Sequence, residues 1–187
     1  TKQSVMKILK KIVLIGFSLL ALYGCIASKE WRLLTTIEKQ MIPYELGDTV
    51  RFVDEKGALS LLTVDRDITY EEPYSGSFSE MLYEVRDVRL SSERGDLSFV
   101  LDVAAWRRWN NHSPHIYIYM KKNKDFDFAI YYDSKGNIGN YDSLEINNHT
   151  YYDVAVAESR GVQLYYNKTF GILQVTQDGK NIFTLVP

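Results

Sequence analysis

Three histidines, His112, His115 and His149, are the first residues in this chain to suggest chemistry. His112-Ser113-Pro114-His115 sets two imidazoles close together, and imidazole is a common metal ligand. Two ligands in a proline-containing turn are too few for a metal site, and neither an HExxH helix nor an EF-hand loop accompanies them. They read better as surface-loop histidines, so no metal and no other cofactor is expected. A Ser-His-Asp triad remains open by composition, although no Gly-x-Ser-x-Gly elbow presents a nucleophile. Glu71-Glu72 reads as a solvated loop, because a glycosidase pair needs a set carboxylate separation in a cleft. No glycine-rich phosphate loop is present, and no residue is assigned a catalytic role.

Trp106-Arg107-Arg108-Trp109-Asn110-Asn111-His112 combines aromatic rings, cations and amides in an expected loop. Exposed Trp and Arg concentrate binding energy at interfaces, and aromatics with amides suit a sugar ring. Trp106, Arg107, Trp109, Asn110 and His112 are therefore the candidate ligand-binding residues. The competing reading has the tryptophans capping the core while the arginines face water.

The remaining reactive side chain is Cys25, the single cysteine. Lys7, Lys10 and Lys11 precede an apolar run from Ile12 to Tyr23, and Gly24 stands before the cysteine. A basic region, a short apolar region and a small residue at the cut form the secretory-signal pattern. The run falls short of the ~20 apolar residues a spanning helix needs, and the chain turns polar at Ser28-Lys29-Glu30. Met6-Lys7 opens the pattern, which leaves residues 1–5 as an upstream extension. Leu22-Tyr23-Gly24-Cys25 resembles the bacterial lipobox, with Tyr23 departing from the small residue usual at its position. The resemblance implies acylation of Cys25 (palmitate or a similar chain), removal of residues 1–24 and a membrane anchor. An uncleaved signal-anchor and a secreted protein cut elsewhere are the competing readings.

Removing residues 1–24 takes away four lysines and no acid, which leaves 18 basic and 24 acidic residues and a formal charge of −6. That balance argues against a nucleic-acid partner, which would need clustered positive charge. With Cys25 acylated no thiol remains, so disulfides, thiolate zinc sites and a cysteine nucleophile are excluded. About 163 residues suit one domain with one core. The 14 tyrosines, many in pairs such as Tyr131-Tyr132 and Tyr151-Tyr152, fit half-buried pleated surfaces.

The elements that must position these residues are strands. Ile26 to Pro43 is the one helix candidate, with Ser28 and Glu30 opening it and Pro43 stopping it. Thr35-Thr36 weakens it, and the alternative is a mixed tether. From Tyr44 onward, alternating runs are separated by turn residues. Asp48–Val53 and Ala58–Val64 flank the Asp54-Glu55-Lys56-Gly57 turn. Ile68–Tyr70 is a short strand, and Glu71 to Gly76 a loop. Charges on both faces of Phe78–Leu90 suggest a bulge or an edge. Leu97–Val103 puts Leu97, Phe99, Leu101 and Val103 on one face. Further strands cover Ile116–Met120, Phe126–Tyr132 and Tyr151–Ala157. Asn147-Asn148 suits a tight turn, and Asp178-Gly179 is the strongest hairpin signal. Ile182–Val186 is apolar enough to be a central strand.

About ten strands with turns every 8–12 residues predict a mainly β fold: a single antiparallel β-sandwich or meandering β-barrel, with one N-terminal helix. The expected organisation is a signal peptide over 1–24, a lipidated tether over 25–43 and an antiparallel β domain over 44–187. Ile146 to Val154, Leu164 to Leu173 and Asp178 to Leu185 resemble the C-terminal half of small uncharacterised lipoproteins from Bacteroidetes-type bacteria. That resemblance implies a β domain and carries no activity. The functional expectation is a cell-envelope lipoprotein, at the outer rather than the inner membrane, that binds or assembles with a protein or glycan partner. The alternatives are an envelope hydrolase or sugar-active enzyme, and a lipid or lipoprotein carrier with an apolar cavity inside the sheet.

Overall fold

Side chains of successive strand residues point to opposite faces, so a strand packed on one side shows every second residue buried. Ser98–Ala104 and His115–Lys121 show this alternation almost without a break, burying Phe99, Leu101, Val103, Ile116, Ile118 and Met120. A computed structural model describes residues 30–74, 81–105, 115–122, 124–133 and 135–187. The elements are β1 (Glu30–Arg32), α1 (Thr36–Lys39), β2 (Thr49–Val53), β3 (Leu59–Tyr74), β4 (Met81–Ser92) and β5 (Ser98–Ala104). Then follow β6 (His115–Lys121), β7 (Asp125–Tyr131), β8 (Tyr141–Ile146), β9 (His149–Ser159), β10 (Val162–Asn167), β11 (Gly171–Gln177) and β12 (Lys180–Leu185).

The chain divides into two compact units, Thr1–Trp31 with Pro73–Leu82, and Arg32–Glu72 with Tyr83–Pro187. The described part of the first consists of Glu30-Trp31 and the adjoining ends of β3 and β4, where Trp31 is exposed. The second unit holds the sheet, ordered β7-β6-β5-β4-β3-β2-β12-β11-β10-β9-β8, and the pairings are antiparallel. It is a meander that curls into a half-barrel. Phe52 of β2 and Phe99 of β5 stand three places apart in the sheet, yet their rings lie 6.2 Å apart. Edge strand β7 likewise comes round to approach β9 and β10. The last strand lies inside the sheet between β2 and β11, as its apolar run predicts.

The turns follow the residues that tolerate positive φ. Asn147 and Asn148 (φ 50° and 61°) join β8 to β9, and Asp178-Gly179 (51° and 76°) joins β11 to β12. These values suit the tight turns that match strand twist. Three expectations are corrected. Ile68–Tyr70 is no separate strand, and Glu71–Tyr74 is no loop: all belong to the 16-residue β3. Nor does β4 bulge against β5, since their register runs evenly from Val85↔Ala104 to Ser91↔Ser98.

The charges on both faces of β4 have another cause. Arg86 shares a face with the buried Val88 and Leu90, and it meets the segment that precedes β2. For that segment the sequence predicts a helix or a tether over 26–43. Its helix is four residues long, and Leu34, Met41, Ile42 and Tyr44 are buried in the sheet unit. Thr35, counted against a helix, is its N-cap: its hydroxyl accepts from the Glu38 N–H at 3.2 Å, and the Glu38 carboxylate accepts from the Thr35 N–H at 2.7 Å. Glu84 of β4 accepts from the Leu34 N–H at 2.7 Å and from Lys39 Nζ at 3.0 Å.

Two buried phenols complete the attachment. Tyr166 donates to the Met41 carbonyl, and the Tyr44 hydroxyl accepts from the Ile172 N–H at 2.6 Å. Burial, the largest cause, pushes both phenols well above the ordinary tyrosine range. In the unfolded chain they ionise near pH ~10, whereas the folded state keeps its protons. The folded state therefore holds more protons above that pH, and stability falls as pH rises. Stability should be flat to about pH 9 and then drop by up to ~1.4 kcal/mol per pH unit for each phenol. Denaturant titrations at stepped pH, read beside tyrosinate absorbance, check this. Tyr44→Phe and Tyr166→Phe should each flatten the alkaline slope.

Candidate functional site

Antiparallel neighbours place alternate connections at the same end of a sheet. The β2–β3 turn (54–57), the β4–β5 turn (93–96), the β6–β7 turn and the β11–β12 turn (178–179) thus gather at one end of the half-barrel. The segment from Leu34 to Tyr44 packs toward the other, against Glu84 and Arg86 early in β4 and Ile172 early in β11.

At the hairpin end a cleft of about 580 Å³ opens between the β2–β3, β6–β7 and β11–β12 turns. Its floor is apolar: Met120 is fully buried, and Phe126 and Ile182 are half-buried. Its rim carries Lys56, Lys122, Lys124 and Lys180, all exposed, with Asp54, Glu55 and Asp178 among them. Asp54 serves its own turn, where its Oδ1 accepts from the Lys56 and Ala58 N–H groups at 2.9 and 2.8 Å. Gly57, at φ +78°, closes that turn by donating to the Asp54 carbonyl at 3.0 Å. The Lys122 ammonium lies 4.3 Å from the centre of the Phe183 ring, a cation–π contact that fixes one amine beside the apolar core.

No family model matches the chain, and no curated protein or solved structure does either.

Of the residues singled out in the sequence, the described ones, His115, His149, Glu71 and Glu72, do not line this cleft. Trp106, Arg107, Trp109, Asn110 and His112 lie outside the described residues, on the connection between β5 and β6, and so does Cys25. His115 opens β6 with its ring 5.2 Å from that of Tyr131. His149 is exposed at the start of β9, its Nδ1 3.3 Å from the Asn147 carbonyl oxygen. Glu71 is exposed, and Glu72 accepts from the Tyr83 hydroxyl at 2.6 Å. Among the described residues no three His, Cys, Asp or Glu side chains are grouped to hold a metal. No helix among them is long and apolar enough to cross a membrane.

A second polar group runs along β3 to β5. Asp87 sits directly opposite Asp102, with Arg66 3.3 Å from Asp87, and Arg89 donates to Asp65 at 2.7 Å. Burial, opposed by Arg66 and Arg89, raises the Asp87 carboxyl, whereas the bond from Arg89 lowers that of Asp65. Asp65 and Arg66 are consecutive, yet both reach odd-numbered residues of β4, so both side chains lie on one face. A β-bulge produces that arrangement. This is a cross-strand ladder of ion pairs, a structural feature rather than a site.

Sequence reasoning missed the cleft lysines because they come from three turns, about 60 residues apart along the chain. The one local signal was Lys121-Lys122-Asn123-Lys124, a basic cluster between two apolar strands.

Proposed function

We propose that this chain is a cell-envelope lipoprotein, acylated at Cys25, whose β unit serves as a binding component and not as a catalyst. The hairpin-end cleft is the observation that carries the binding reading. It joins an apolar floor to a rim of exposed ammonium groups, a concave site that pairs apolar surface with polar groups able to orient a ligand. Lys7, Lys10, Lys11, the apolar run and Leu22-Tyr23-Gly24-Cys25 support acylation. Two buried acyl chains, at about 0.8 kcal/mol per methylene, give stable attachment.

Expression in a bacterium with a lipoprotein pathway, with labelled palmitate supplied, tests the anchor. The wild-type chain should take up label and sediment with membranes, and Cys25→Ala should lose the label and leave that fraction. A Cys25→Ala protein that stays in the membrane fraction at unchanged intact mass would refute acylation.

A further inference from the structure

We infer that the hairpin-end cleft takes an organic anion with an apolar body, such as a sulfonate, carboxylate or phosphate carried on a ring system. This names a ligand class for the binding reading above and rests on it. The rim places four ammonium groups around one opening, against three carboxylates. One of those carboxylates, Asp54, already accepts two backbone N–H groups of its own turn. The chain as a whole is acidic, with a formal charge of −2. A local excess of amines over a low-dielectric floor is therefore a focus of positive potential on a negative molecule, the setting that draws in and holds an anion. Lys122 is the amine best placed to act. Its contact with the Phe183 ring holds it at the junction of rim and core, where a charge is less screened than in open water. Phe126 and Ile182, half-buried beside the buried Met120, offer nothing to a bare inorganic ion and a surface to a ring. The volume, about 580 Å³, lies in the range of small-molecule pockets.

The test is calorimetric titration of the full chain in neutral-detergent micelles, with empty micelles as blank. The probes are 2-naphthalenesulfonate and its uncharged counterpart 2-naphthalenesulfonamide. The sulfonate should bind, more weakly as salt is raised, and the sulfonamide should bind at least several-fold more weakly. The combined substitution Lys122→Gln/Lys124→Gln/Lys180→Gln should weaken the sulfonate about tenfold, three exposed charge contacts together. The same variant should leave the sulfonamide unchanged. Lys124 and Lys180 are exposed and Lys122 gives up one cation–π contact, so the variant should stay folded and lose no more than about 1 kcal/mol. Phe126→Ser should weaken both probes. Equal binding of the two probes, indifferent to the lysine substitutions but lost in Phe126→Ser, would overturn the anionic class and leave a binding cleft standing. Failure of both probes to bind, or binding that neither variant alters, would overturn the cleft as a site and with it the binding reading.

Discussion

Replacing Arg86 with alanine should lower the stability of the β unit by about 2–4 kcal/mol, the cost of removing one side of a part-buried charge pair together with its hydrogen bonds to backbone. The guanidinium uses both faces of its fork. Nε and Nη2 donate to the two Asp67 oxygens at 3.0 and 2.9 Å. Nη1 donates to the Lys39 and Ile42 carbonyls at 2.6 and 2.9 Å, and Nη2 also donates to the Tyr44 carbonyl at 2.7 Å. Alanine removes all of these at once and leaves a carboxylate and three carbonyls short of donors. Lysine keeps the charge but not the planar fork, so Arg86→Lys should recover less than half of the loss. Arg66→Ala is the control: its side chain is 40% exposed and faces Asp87 at 3.3 Å, and its cost should stay below about 1 kcal/mol. Urea denaturation at neutral pH reads all three. Amide exchange should show where the loss falls, with the Ile172 N–H that Tyr44 holds losing protection in Arg86→Ala and keeping it in Arg66→Ala.

Gly171→Ala should cost about 3–5 kcal/mol, for two separate reasons. Gly171 has φ +76°, a conformation that an L side chain resists. A methyl group there would also fall inside the van der Waals envelope of the Tyr44 phenol oxygen and ring. Tyr44 cannot give way easily, because it is buried and its hydroxyl accepts from the neighbouring Ile172 N–H. Gly95 separates the two causes. Its φ is +67° and nothing stands within 4 Å of an added Cβ, so Gly95→Ala should show the backbone cost alone, about 1–2 kcal/mol. Equal losses at the two positions would mean that the contact with Tyr44 carries no weight.

How much of this was legible in the sequence depended on whether the cause was local. Asp178-Gly179 and Asn147-Asn148 announce their turns because the positive φ values belong to those residues themselves. Phe99, Leu101 and Val103 announce a one-sided strand because side-chain direction alternates within the strand. Thr35 misled because helix propensity and helix capping rank threonine in opposite ways, and only the helix start decides between them. Arg86 misled because its partners are mostly backbone carbonyls 42 to 47 residues away, which no periodicity in β4 can signal. The expected cluster at Trp106 to His112 rested on residue type alone. The cleft is the reverse case, ordinary turn lysines made neighbours only by the strand order.

The place of β12 in the sheet bears on how the protein must be made. Thr184 and Leu185 pair with Val53 and Phe52, and the Val186 N–H donates to the Arg51 carbonyl at 2.8 Å. Strand β2 therefore waits for a partner that appears more than a hundred residues later. A chain emerging N-terminus first from a ribosome can zip β2 to β7 by successive hairpins, and β8 to β11 likewise. The two halves join laterally only when the last strand arrives. Until then β2 and β11 each present a bare apolar edge, the kind of surface that recruits other chains. So distant a pairing also puts closure late and makes it slow. A nascent molecule is thus a sticky one, and a holding chaperone would be of most use to it in the interval before residues 180–185 are free.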